Sequence, residues 1–208
     1  MKTGPWSIAV AMGAGFILAA CTKSPPVPTD NYYRLTEAVA TQAAGRPLTD
    51  GVILVRAIQG DGVHSERALL YTEDEQGVTL KRYNYHLWID TPPRLIQTQL
   101  AQYLRMAGAA SMVVTEIDDD PALIVSGRVL RFEREQGKDR VVAHVAVELR
   151  LDNNRGKPLL LKDYKVDTVV ADEAIEATVG ALDAGLQQIY GEFLADALVA
   201  GGASGTGP

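Results

Sequence analysis

Few side chains in this sequence could carry out covalent or metal chemistry. There is one cysteine, Cys21, and there are three histidines, His64, His86 and His144. A nucleophile–base pair needs Ser or Cys near His, with a third group to orient the base. Ser65 follows His64, but neighbours on an extended segment point to opposite faces. His144 falls on the polar side of an alternating run, so water is its expected environment, and His86 could face water or a partner. A single cysteine excludes an internal disulfide framework and any CxxC zinc or redox site. Asp118-Asp119-Asp120 invites a calcium or magnesium reading. Metal loops alternate their ligands with turn-forming residues, whereas three adjacent carboxylates ahead of Pro121 read as a solvated turn. Gly60-Asp61-Gly62 lacks the strand–helix setting of a phosphate loop and reads as a turn. The sequence therefore predicts no catalytic constellation, no metal site and no cofactor.

A second group of residues suits recognition better than reaction. Tyr83, Tyr85, Trp88, Pro92 and Pro93 fall within eleven residues. Tyr83, Tyr85, Trp88 and Pro92 are candidate partner-binding residues. The alternative is that the rings pack under the helix that follows, since aromatics fill cores well. Tyr32-Tyr33 poses the same choice between core and a sheet edge open to a partner.

These residues need a scaffold, and composition bounds it. A chain of 208 residues, 47% apolar and 22% charged, makes one ordinary domain or two small ones. Its formal charge of −6 argues against a nucleic-acid binder, which carries a basic excess on one face. Strands are predicted at Asn31–Leu35, Gly51–Ile58, Arg67–Thr72, Val78–Trp88, Met112–Ile117, Leu123–Glu135, Val141–Asp152 and Leu159–Val170. In the second Tyr strand, Tyr83, Tyr85 and Leu87 share one face. The clearest alternation is Val141, Ala143, Val145, Val147, Leu149 and Leu151 against His144, Glu148, Arg150 and Asp152: one face in the core, one in water. A helix opens at Asp90-Thr91-Pro92-Pro93, with a capping side chain, and carries Ile96, Leu100, Tyr103, Leu104 and Ala107 at helical spacing as far as Gly108. A final helix over Glu173–Leu198 presents Val179, Leu182, Leu186, Ile189, Phe193 and Ala197 as a stripe, with Asp183, Gln187 and Glu192 turned away. Gly180, Gly185 and Gly191 within it imply close packing on a sheet or a local bend. The predicted class is α+β, a mostly antiparallel sheet with two amphipathic helices packed on one face.

The N-terminus reads as an address. Lys2 precedes an uncharged run from Ser7 to Ala20, too short for the roughly 20 residues of a membrane-spanning helix. That is a signal-peptide pattern over residues 1–20. It ends in Leu18-Ala19-Ala20-Cys21, which resembles a bacterial lipobox; the alternative is an ordinary secretory signal with a chance cysteine. The lipobox resemblance implies cleavage before Cys21, diacylglycerol on its sulfur and an acyl group on its new amine. Two or more acyl chains anchor durably where one is marginal. Thr22 rather than Asp follows the cysteine, which favours the periplasmic face of the outer membrane over inner-membrane retention. Residues 21–30, with three prolines, form an extended tether. Residues 31–199 form one domain, and the Gly-rich residues 200–208 a disordered tail.

Lipobox, Pro-rich tether and Tyr33-Arg34-Leu35 are followed by an aromatic strand ending in Trp88, then by Pro92 and a helix with Leu95, Leu100 and Leu104. In that order they resemble the auxiliary lipoproteins of ABC-type transport systems, the family containing paraquat-inducible protein C. Ile89-Asp90-Thr91 and the Gly60–Glu66 loop depart from the family's pattern. The resemblance implies a non-catalytic outer-membrane lipoprotein of a mammalian-cell-entry system that moves lipids across the bacterial envelope. Its partners would be the mammalian-cell-entry-type periplasmic protein, which it docks, and the ABC permease behind it; copies could form a homo-oligomer. The rival reading is a structural or assembly lipoprotein that scaffolds an outer-membrane complex.

Overall fold

The computed structural model describes residues 28–40, 44–74, 76–116 and 120–203. In chain order the elements are β1 (Asn31–Tyr33), β2 (Thr49–Val55), β3 (Gln59–Gly60), a single 3-10 turn (Gly62–Ser65), β4 (Ala68–Thr72), β5 (Lys81–Trp88), α1 (Pro92–Met106), β6 (Ala110–Val114), β7 (Leu123–Gln136), β8 (Val141–Asn153), β9 (Pro158–Val170) and α2 (Ile175–Ala203). The strand β7 organises the rest. Its 14 residues reach about 46 Å at ~3.3 Å per residue, enough to seat three short strands end to end. Along one edge lie β2, β3 and β4, all parallel to it. The other edge takes β8, and β9 follows, both antiparallel to their neighbours. β5 pairs antiparallel with β4, β1 parallel with β5, and β6 parallel with β2.

The class is α+β, but the sheet is mixed rather than mostly antiparallel: among the described residues five of the eight strand pairings are parallel. Alternation reveals which face a residue occupies, not which strand lies beside it. Hairpin neighbours are antiparallel because a short turn reverses the chain. Between β4 and β7 the chain instead returns through β5, α1 and β6, so the two meet in parallel.

Both helices bury their apolar stripes in one core with the sheet. Ile96, Leu100, Tyr103 and Leu104 come from α1, and Leu182, Leu186, Ile189, Tyr190 and Phe193 from α2. Each such side chain contributes about 1.5–3 kcal/mol when fully buried. The Tyr103 and Tyr190 rings meet where the helices touch, with centroids 5.7 Å apart. Thr91 caps α1 without a side-chain bond; instead Asp90 Oδ1 accepts the Thr91 N–H at 2.7 Å. Gly108, at φ +67°, stops the helix in a conformation that favours glycine. A Cβ at Gly185 would stand 3.1 Å from Val145 Cγ2, and one at Gly191 3.2 Å from Tyr103 Oη, so these two glycines permit close approach; Gly180 has open space. α2 continues to Ala203, past the expected start of the tail. Among the described residues no helix is long and apolar enough to cross a membrane.

The opposite face of β7, β8 and β9 carries charged rungs, Glu133–His144–Asp167 and Arg128–Glu148–Asp163. The predicted alternation of β8 is present, but His144 does not sit in water. It is 6% exposed, with Nδ1 2.6 Å from Asp167 Oδ1 and Nε2 2.9 Å from Glu135 Oε2. Carboxylates from the strands on either side, β7 and β9, replace the solvent. The Glu133 carboxylate accepts from Arg131 Nε at 2.9 Å and Nη2 at 2.6 Å, with His64 Nε2 3.9 Å away. Burial pushes the Glu133 carboxyl up, but the nearby His64 ring and the bonds from Arg131 outweigh it and hold it below the usual range. Asp167 is held low likewise: burial opposes, and the bonds to Lys165 and His144 prevail.

Both carboxyls titrate lower folded than unfolded, so their stabilisation is present above about pH 4 and is lost as pH falls through the folded values. We expect the urea midpoint to drop between pH 5 and pH 3, and Glu133→Gln to flatten that drop. A midpoint equally steep in both proteins would contradict this assignment.

Candidate docking surface

The aromatic strand β5 lies between β4 and β1. Ala68 and Leu70 of β4 face Leu87 and Arg82 of β5, so two steps on one strand answer five on the other. This bulge interrupts the period of two. The predicted common face of Tyr83, Tyr85 and Leu87 is therefore broken: Tyr83 meets His86 edge-on at 5.4 Å and Tyr71 at 4.4 Å, while Tyr85 is 42% exposed. His86 stacks in turn on Tyr33, at 5.8 Å, so a row of four rings crosses β4, β5 and β1.

Tyr33 ties that row to α2. Its hydroxyl lies 2.8 Å from His86 Nδ1 and donates to Glu176 Oε1 at 3.1 Å. A phenol has one proton, so with that proton on Glu176 the His86 Nδ1–H is the donor to Tyr33. Burial first, then Glu176, pushes the Tyr33 phenol up to about 12. Arg67 Nε donates to the Trp88 carbonyl at 3.0 Å, and its guanidinium lies 5.3 Å from the Tyr32 ring centre.

The candidate partner-binding residues thus divide. Trp88 is 1% exposed and packs on Phe132 with centroids 5.1 Å apart, and Pro92 is buried at the start of α1. Both are core, because the strand ends under the sheet–helix junction and the prolines close the first turn. Tyr83 is half-buried in the ring row, and Tyr85 is on the surface. Exposed Tyr32 and Ile89 join Tyr85 near the β1 edge, where Tyr32 pairs with Leu87. Cys21 lies outside the described residues.

Two grooves flank α1. One, of about 260 Å³, runs between the segment Arg34–Glu37 and the helix; the other, of about 490 Å³, lies against Ala57, Ile58, Thr115 and Glu116. Arg94 and Thr98 line both, so the grooves meet on the exposed ridge of α1. Arg94 Nε is 3.2 Å from Asp90, an exposed helical pair contributing about 0.3–0.5 kcal/mol.

Sequence reasoning missed what holds this wall in place. Asp183, placed among the residues turned away from the core, is 5% exposed. It accepts from Gln99 Nε2 at 2.5 Å, from the Thr36 hydroxyl and from the Thr36 N–H at 3.3 Å. Gln99 Nε2 also donates to the Thr36 carbonyl at 3.0 Å, and Tyr190 donates to Gln99 Oε1 at 3.1 Å. The segment after β1 is thereby fixed to both helices. The available signal was Gln99 itself, a polar residue between Ile96 and Leu100 on the apolar stripe of α1.

Of the remaining candidates for chemistry, His64 Nε2 is buried 3.9 Å from Glu133 with no hydrogen-bond partner among the described residues, and Asp118 and Asp119 lie outside the described residues. Ser65 Oγ donates to the Gly62 carbonyl at 2.6 Å, closing its own turn. His86 and His144 are held as described.

The family model for the ABC-type transport auxiliary lipoprotein component matches residues 33–192. No curated protein matches the sequence. Among solved structures, protein XCC0632 from Xanthomonas campestris superimposes with a TM-score of 0.72 at 14% identity, over 85% of this chain and 100% of that one. The hypothetical protein CT253 from Chlamydia trachomatis gives 0.50 at 9% identity, over 74% and 99%. At such identities the likeness is one of fold.

Proposed function

The chain belongs to the family of ABC-type transport auxiliary lipoprotein components, and from that premise we propose that it is a non-catalytic docking lipoprotein of a mammalian-cell-entry system that moves lipids across the bacterial envelope. It is anchored through acyl chains on Cys21 at the periplasmic face of the outer membrane. There it receives the periplasmic bridging protein, with an ABC permease at the system's other end. The carrying observation is the family match over residues 33–192, which takes in the ring row, α1 and most of α2. A surface built of exposed Tyr85, Tyr32 and Ile89 beside the α1 grooves supports docking over chemistry. Several copies around one partner are compatible with this role.

Capture of the mammalian-cell-entry-type protein by the full, natively processed chain tests the proposal. Tyr85→Ser should weaken capture about tenfold or more, as truncating an interface aromatic does, while stability stays within about 0.5 kcal/mol. Mass spectrometry should find Cys21 as the acylated N-terminus. Absence of capture by the unaltered lipoprotein overturns the transport role in favour of a scaffold of an outer-membrane complex; capture unaffected by Tyr85→Ser overturns only the placement of the surface.

A further inference from the structure

Away from α1, three arginines converge on a groove of about 240 Å³ on the charged face of the sheet. Arg56 and Gln59 approach from the β2–β3 segment, Ser126 and Arg128 from β7, and Glu148 and Arg150 from β8. Register explains the convergence: Arg128 is paired with Glu148, Ser126 with Arg150 and Gln59 with Arg128. Strand pairing therefore builds the site from three segments distant in sequence.

The donors in this groove outnumber their acceptors. Arg150 uses its Nε on Asp152, at 2.8 Å to each oxygen. Arg128 reaches Glu148 only through Nη2, at 3.4 and 3.5 Å, which is long for a charged pair. Its Nε–H is shut off from water and has no partner among the described residues. A buried donor left unmet costs about 1–3 kcal/mol. Within the groove three guanidinium groups face the one carboxylate that lines it, Glu148; Asp152, held by Arg150, and Asp163, beside Glu148 on β9, stand outside the lining. The chain as a whole carries −6, so a cationic spot here does not follow from composition.

We propose that this groove binds a phosphate oxyanion, either free or as the phosphodiester of a lipid headgroup. Guanidinium forks match phosphate oxygens in geometry and stay charged at any relevant pH. A tetrahedral oxyanion offers acceptors on several sides, which suits donors arriving from three segments. The groove is smaller than the about 300 Å³ of a typical small-molecule site, so it fits a headgroup rather than a whole lipid. The groove shares Ala57 with the larger of the two α1 grooves, but its three arginines line neither of them.

The experiment is a nuclear magnetic resonance titration of the full chain in uncharged detergent, at constant ionic strength. One arm uses inorganic phosphate and the other glycerophosphoglycerol, the soluble headgroup of phosphatidylglycerol. Saturable shifts are expected at Ser126 and Arg128 amides. Arg56→Gln, at an exposed position, should weaken binding about tenfold, one charged contact's worth, while Lys138→Gln, exposed in the turn between β7 and β8, leaves it unchanged. Tighter binding of glycerophosphoglycerol assigns the site to a lipid headgroup, and equal or tighter binding of inorganic phosphate to the free ion. No saturable shift with either probe, or equal affinity in Arg56→Gln, overturns the proposal.

Discussion

Replacing Asp183 with Ala should lower the unfolding free energy by about 2–4 kcal/mol, measured by urea denaturation followed by circular dichroism. The reasoning is one of hydrogen bonds, not ion pairing. Asp183 is buried, and no salt bridge to it is formed among the described residues. Its charge is carried by the Gln99 amide and by the Thr36 hydroxyl and N–H. Ala removes the acceptor, leaving the Gln99 amide short of a partner in a buried place, while the Thr36 groups, on an exposed residue, can turn to water and release the segment. Gln99 keeps its bond to the Thr36 carbonyl, and Tyr190 keeps Gln99, so the network is wounded rather than erased. Asp183→Asn retains one carbonyl acceptor of the same shape and should cost about half as much. The segment Arg34–Glu37 walls one α1 groove, so the Ala variant should also show faster amide exchange there. A loss under about 1 kcal/mol with unchanged exchange would refute the pinning role.

Asp183 also marks where the sequence stops being legible. Helical spacing puts it one turn from Val179 and Gln187, a pattern that reads as a polar flank. Its partners are Thr36, 147 positions earlier, and Gln99, 84 positions earlier. Local periodicity holds no trace of such pairs. The same boundary runs through the sheet. The alternation of β8 was readable because it is a property of that strand alone; the burial of His144 was not, because Glu135 and Asp167 come from the strands on either side. The start of α1 could be read from its prolines, and its buried face from Ile96, Leu100 and Leu104. The bulge in β5 could not, since it exists only in the register against β4. That bulge decides which of the aromatic residues face solvent, so the ring cluster was visible as a cluster while its division into core and surface was not.

Trp88 allows that division to be tested with the largest effect expected of any single substitution here. Trp88→Ala should cost about 3–5 kcal/mol, because it removes a fully buried indole and leaves a cavity beside Phe132. Trp88→Phe keeps part of the ring contact and should cost markedly less. Neither change touches an exposed atom of consequence, so capture of the partner should fall only as far as the folded fraction falls. At a temperature well below the Trp88→Ala transition, capture per folded molecule should equal that of the unaltered protein. Tyr85→Ser should do the reverse, weakening capture at constant stability. The backbone of Trp88 is held from both sides by Arg67, its N–H donating to the Arg67 carbonyl at 2.7 Å and its carbonyl accepting from Arg67 Nε. The strand path should therefore survive loss of the indole, which keeps the nearby surface in register and makes the comparison fair. If Trp88→Ala is as stable as the parent, the core assignment fails. If it is destabilised but also captures poorly per folded molecule, the docking surface extends through the core residue, and Tyr85 is not its centre.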